Sequence, residues 1–176
     1  MAVGPEPLGF AGELNEMDVN SLAEEQVATY GGGFSMLVLR DGHIERRILA
    51  GEARPGVPMN PDAILLWLSS GKPVTAAAIA LLYERGEIAL EQAVTDFIPA
   101  FAANGKHSIT IRHLLTHTAG LHRVIPSVWE SSDWGFTIAR ICEAALPPGF
   151  VPGSDAAYDP SAAWFMLAEI ISRSGL

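Results

Sequence analysis

The sequence predicts an α/β chain of the α+β type: an antiparallel sheet flanked by helices, with an all-helical region inserted beside it. Three observations carry this. Two runs rich in apolar and β-branched residues, FSMLVLR and HIERRILAG, flank Asp41-Gly42. An Asp-Gly pair between such runs is a strong hairpin signal, because both central residues of a type I′ turn need positive φ. One long apolar run, Val74 to Tyr83, sits inside SSGKPVTAAAIALLYERGE and has the length of a helix. Beyond it, residues 88–156 break into short helical stretches separated by turns, with no second strand-rich region.

Taken in order, residues 12–29 mix Leu, Met, Val and Ala with Glu at helical spacing and stop at Gly31-Gly32-Gly33, which predicts an exposed amphipathic helix ended by glycines. The hairpin follows. Residues 52–63, EARPGVPMNPDA, hold three prolines and a glycine and read as a loop. The helix over Ser69–Glu87 is apolar on nearly every face from Val74 to Tyr83, so it is expected to be buried all round. AVTDFIPAF, then ITIRHLLTH with Thr110 as N-cap and Gly120 as its stop, then WGFTIARICEAAL before Pro147-Pro148-Gly149 make the helical region. A last apolar helix begins at Asp159-Pro160, as N-cap and first helical residue, and runs to Gly175. The expected organisation is therefore 1–68 for the N-terminal helix and hairpin of the sheet portion, 69–86 for the central helix, 87–157 for the helical region and 158–176 for a buried helix returning to the sheet portion.

Composition narrows the function classes. The 176 residues are 49% apolar and 18% charged, with mean hydropathy +0.24, enough for a buried core and unlike disordered, collagenous or coiled-coil chains. Eleven basic residues against 20 acidic ones give a net charge of −9, and no stretch clusters Lys and Arg, which excludes nucleic acid as a partner. The single cysteine, Cys142, lies in an apolar helical run and reads as a packing residue. The first 20 residues carry acidic groups where an export signal would be basic, and the longest apolar run is far short of the roughly 20 residues of a membrane span. A cytoplasmic protein with no membrane partner is expected.

Chemistry concentrates at Ser69-Ser70-Gly71-Lys72. On a helix, residues i and i+3 share a face, so Lys72 stands beside the Ser69 hydroxyl. A serine becomes a nucleophile when a neighbour takes its proton, and a lysine can do so once desolvation or positive potential lowers its pKa. The amino end of an apolar helix offers both, and it also aims backbone N–H groups at a developing oxyanion. The chain has nine arginines and only two lysines, Lys72 and Lys106. Arginine cannot give up its proton, so a rare lysine at the mouth of this helix is informative. A capping turn is the plain structural alternative for the same four residues.

The order of hairpin, proline-rich crossing, WLSSGKPVTAAAIALLYERGEIALEQAVTDFIPAF, ITIRHLLTHTAGL and PGSDAAYDPSAAWFMLAEIISRSG resembles, segment by segment over residues 32–176, the serine β-lactamase-like and penicillin-binding-protein-like family of the class C type, which includes esterases, D-amino-acid peptidases and acyltransferases. The resemblance implies a β-lactamase/transpeptidase-like fold with the active site where sheet portion and helical region meet. It implies an acylated Ser69, an assisting Lys72 and a proton-shuttling Tyr158 in place of the family's Tyr-x-Asn tyrosine. The phenol of Tyr158, just ahead of a helix N-cap, can face the start of the Ser69 helix. The family's asparagine is Pro160 here. Proline has no amide side chain to orient substrate or lysine, which weighs against β-lactam turnover and leaves acyl-enzyme chemistry in place.

His113 and His117 stand at i and i+4, with His122 nearby, a spacing able to hold zinc. No Glu occupies the H-E-x-x-H position, so no metal and no cofactor are expected; G-x-S-x-G, Walker and G-x-G-x-x-G patterns do not occur in the sequence. The reading is a serine hydrolase or transacylase acting on a small-molecule ester or amide. A catalytically silent binding or assembly protein on the same scaffold is the alternative. The resemblance also implies further strands, one bearing a Lys-Thr-Gly-like motif that nothing here matches. An incomplete sheet and a second chain or C-terminal fragment that completes it are therefore expected.

Overall fold

Residues 19–124 and 133–175 are described in the computed structural model, and they fall into two compact units divided between Leu66 and Trp67. The first unit opens with helix α1, Val19–Tyr30. It ends at the glycines, where the Gly31 amide donates to the Val27 carbonyl at 2.9 Å; residues 12–18 of the expected helix lie outside the described residues. Strands β1 (Gly33–Arg40) and β2 (His43–Arg54) form the expected antiparallel hairpin. Arg40 pairs with His43 across a turn in which Asp41 and Gly42 take φ of +49° and +78°, the two positive values that a type I′ turn requires. The register slips between Val38 and Leu39, leaving Glu45 as the extra residue of a bulge.

The loop expected over 52–63 forms only beyond Pro58. Strand β2 continues to Arg54, and β3 (Val57–Pro58) pairs back onto it, giving a three-stranded sheet in the order β1-β2-β3. The cause is local. Pro55 fixes φ at the first corner and Gly56, at φ +77°, supplies the second, the pattern of a type II turn, so proline and glycine here make a tight reversal. Helix α1 packs across β2 with Ala23 buried, alongside Ile48 and Met59.

The second unit begins with a 3₁₀ turn, Leu68–Gly71, that leads into α2, Lys72–Glu84. The expectation of a helix buried on all sides is corrected. Ile79 and Leu82 are fully buried, yet Val74, Leu81 and Tyr83 are 59%, 37% and 54% exposed. Helix α5, Ala162–Arg173, covers one face of α2, and no described residue of this unit covers the other. Helix α3, Ile111–Leu115, starts on Thr110 as expected, in a reciprocal cap: the His113 amide donates to Thr110 Oγ1 at 3.4 Å and the Thr110 amide to His113 Nδ1 at 3.3 Å. It stops at Leu115, well before Gly120, because the chain turns left-handed at His117, φ +60°. Helix α4, Trp134–Glu143, is capped by Asp133, whose Oδ1 accepts the Phe136 amide at 2.9 Å. Helix α5 begins at Ala162, two residues later than expected, with Ser161 in the N-cap place. Asp159 still serves its first turn, accepting the Ser161 and Ala163 amides at 2.8 and 3.0 Å.

The core of this unit gathers Phe101, Leu114, Ile141, Met166 and Ile170, all inaccessible to solvent. Lys106 is buried with them. Its ammonium donates to the carbonyls of Ala103 (2.7 Å), Cys142 (2.9 Å) and Ala144, so it closes the carboxyl end of α4. Burial lowers its pKa, against a smaller opposing effect of the neighbouring Cys142. Cys142 is buried as expected, and burial pushes its thiol up, away from reactivity. No helix among the described residues is long and apolar enough to cross a membrane.

Candidate active site

The three candidate residues meet within the second unit. Ser69 lies in the 3₁₀ turn rather than at the start of the α-helix, and this tightens the geometry. With three residues per turn, i and i+3 eclipse one another, and Lys72 Nζ donates to Ser69 Oγ at 3.0 Å. The residue before Ser69, Leu68, is held at φ +49°, a left-handed value uncommon for leucine. Ser70, by contrast, has its amide committed to the Trp67 carbonyl at 3.0 Å.

Tyr158 comes from the segment ahead of α5, 89 residues further along, and its hydroxyl donates to Ser69 Oγ at 2.7 Å. Its phenol is held below the usual tyrosine range, first by the Ser69 hydroxyl and next by Lys72; the slight burial of the ring acts the other way. One short hydrogen bond joins the two hydroxyl oxygens in this arrangement. Lys72 has a second acceptor, the Pro160 carbonyl at 2.7 Å. Its ammonium also lies 5.4 Å from the centre of the Tyr158 ring and 5.5 Å from that of Trp164, within cation–π range. Where the family pattern has an asparagine side chain, this chain offers the lysine a backbone carbonyl on a residue of fixed φ.

His117 is the residue that sequence reasoning assigned only to a discounted metal site. Its ring Nδ1 accepts the Asp159 amide at 3.0 Å, its carbonyl accepts the Ala157 amide at 3.0 Å, and its ring centre lies 4.9 Å from that of Tyr158. It thus holds the chain on both sides of the tyrosine. His113 lies on α3 and His117 beyond its end in left-handed backbone, so the two do not share the helical face that their spacing suggests. Among the described residues no group of three His, Cys, Asp or Glu side chains is placed to hold a metal. Nothing in the spacing could have revealed the left-handed turn that aims His117 at residues 157–159.

Comparison with known proteins identifies the family and the fold. A family model described as Beta-lactamase matches residues 19–174. Esterase EstB of Burkholderia gladioli is 40% identical over 95 residues, covering 51% of this chain and 24% of the relative. Esterase/beta-lactamase LipL of Mycobacterium tuberculosis is 32% identical over 139 residues, 78% of this chain and 32% of the relative. The solved structure of EstCE1, titled a hydrolase with promiscuous acyltransferase activity, superposes with a TM-score of 0.74 at 25% identity, over 88% of this chain and 45% of that one. The chain thus spans a quarter to a third of the curated relatives' length and under half of the solved one.

Proposed function

Since the chain belongs to the beta-lactamase family, we propose that it supplies the nucleophile half of a serine acyl-enzyme hydrolase or transacylase acting on a small-molecule ester or amide. The observation that carries this reading is Ser69 Oγ lying 3.0 Å from Lys72 Nζ and 2.7 Å from the Tyr158 hydroxyl. Ser69 Oγ attacks the carbonyl carbon while Lys72 and Tyr158 act together as the relay for its proton: the Tyr158 phenolate receives it, and Lys72 shares it and stabilises the negative charge that moves between the two oxygens. The tetrahedral intermediate collapses, the C–O or C–N bond breaks, and Tyr158 returns the proton to the departing alcohol or amine. Water, or a second alcohol or amine, then attacks the Ser69 ester by the same relay in reverse. The esterase and acyltransferase descriptions of the relatives support this class of reaction. With Pro160 in place of an amide side chain, esters are favoured over β-lactams. The reading keeps the cytoplasmic setting expected of the sequence.

The reading includes a completing partner: a second chain or C-terminal fragment that adds strands to the sheet. Leu66, Trp67 and Leu68, just before the nucleophile, are 83%, 62% and 78% exposed, and the outer face of α2 is apolar and uncovered by described residues. Intact-mass analysis after incubation with a fluorophosphonate, in the presence of that partner, tests the chemistry. One adduct on Ser69, absent from Ser69→Ala, is the expected result. Labelling that persists in Ser69→Ala, or that falls on Ser70, overturns it; a correctly completed protein that never labels is the silent binding or assembly protein instead.

A further inference from the structure

We propose that His117 is a positioning residue for the proton relay, a clamp that sets the Tyr158 hydroxyl on Ser69 by gripping the backbone on both sides of the tyrosine. The inference rests on the acyl-enzyme reading for its purpose but on geometry for its content.

Tyr158 is more than half exposed, at 58%, and sits in an irregular segment, so packing alone does not fix a hydroxyl that must stay within 2.7 Å of Ser69 Oγ. Backbone contacts do. The Ala157 amide donates to the His117 carbonyl and the Asp159 amide to His117 Nδ1, each at 3.0 Å, so one residue takes up the amides flanking Tyr158. The buried Asp159 carboxylate then anchors the same segment to α5 through the Ser161 and Ala163 amides. One side chain can accept at Nδ1 while its own carbonyl faces residue 157 because the backbone of His117 turns left-handed, φ +60°. An accepting Nδ1 places the imidazole proton on Nε2. Asparagine is the residue that reproduces these features: it tolerates left-handed backbone, and its side-chain oxygen occupies the place of Nδ1. Glycine keeps the backbone and loses the acceptor.

Those properties define the test. His117→Ala, His117→Gly and His117→Asn are compared with the parent chain by NMR titration of ¹³Cζ-labelled tyrosine, with Tyr158→Phe assigning the resonance. The rate of fluorophosphonate labelling, with the completing partner present, is measured beside it. In His117→Gly, which folds without strain, the Tyr158 phenol moves up toward the ordinary value near 10, since the hydroxyl leaves the Ser69 and Lys72 contacts that lower it. Labelling slows about 10- to 100-fold, the scale of an ångström-sized misplacement. His117→Ala behaves likewise, and His117→Asn recovers most of the loss in both readouts. An unchanged Tyr158 titration in folded His117→Gly overturns the proposal, and so does failure of His117→Asn to differ from His117→Ala. Loss of labelling in Ser69→Ala keeps the acyl-enzyme reading separate: if Ser69→Ala still labels, that reading falls while the titration continues to decide the role of His117.

Discussion

In the proposed reaction Lys72 and Tyr158 divide the work on one proton, and substitutions separate their parts. Lys72→Arg is expected to be nearly as damaging as Lys72→Ala, since a guanidinium is larger, does not give up its proton, and cannot sit as a compact charge between Ser69 Oγ and the Pro160 carbonyl. Stopped labelling kinetics of both variants check this; an arginine variant that keeps most of its rate would reduce the lysine to plain electrostatic support. For Tyr158 the sign follows from its lowered pKa. In the proposed relay the phenolate is the form that accepts the serine proton, so the labelling rate should rise with pH through the lowered value and level off before the ordinary tyrosine range near 10. Tyr158→Phe should flatten that limb and lower it throughout.

At the scale of elements, legibility depended on whether the controlling interaction was local. The turn of the hairpin could be placed to the residue because Asp41 and Gly42 carry their own conformational preference. Thr110 could be placed as a cap because its partner, His113, is three residues away. Pro55-Gly56 is equally local, yet it was hidden among prolines that also suit a loop. The face of α2 that stays uncovered, the three carbonyls around Lys106 and the reach of His117 to residues 157–159 all depend on contacts distant in sequence, and no periodicity encodes them. Two stability changes follow. Thr110→Ala should cost about 1 kcal/mol, the usual value of an N-cap. Lys106→Met should cost about 3 kcal/mol, because it leaves buried carbonyls of Ala103, Cys142 and Ala144 without a donor. Urea unfolding measures both, and a methionine variant as stable as the parent would show that the ammonium is replaceable. Because burial lowers the pKa of Lys106, the unfolded chain holds a proton that the folded one sheds between the lowered value and the ordinary one near 10.4. Stability should therefore rise with pH across that alkaline window and lose the rise in Lys106→Met.

For the whole molecule, the uncovered surface decides behaviour in solution. Strand β1 has no neighbour on its outer edge among the described residues, Leu37 and Leu39 on it are 46% and 57% exposed, and α2 is half bare. A sheet edge and apolar faces of this kind favour self-association. The chain alone is expected to sediment as a concentration-dependent distribution of oligomers and to label at Ser69 poorly, and the completing partner is expected to narrow that distribution and restore labelling together. A monodisperse 18.8 kDa species that acylates unaided would overturn the need for a partner.

The burial of Lys106 also fixes how the molecule meets reagents that seek amines. Of two ε-amino groups, one is sealed beneath three carbonyls with no exposed surface, and the other is hydrogen-bonded to the Ser69 hydroxyl. Among side-chain amines, acylating dyes, reductive methylation and amine coupling to a sensor surface therefore reach Lys72 alone, so tagging or immobilising the protein through a lysine would here be directed at the proposed reacting centre. The nine arginines offer no amine to such chemistry. A single ε-amine modification at Lys72, found by peptide mapping and slowed when Ser69 is already acylated, would follow from this arrangement.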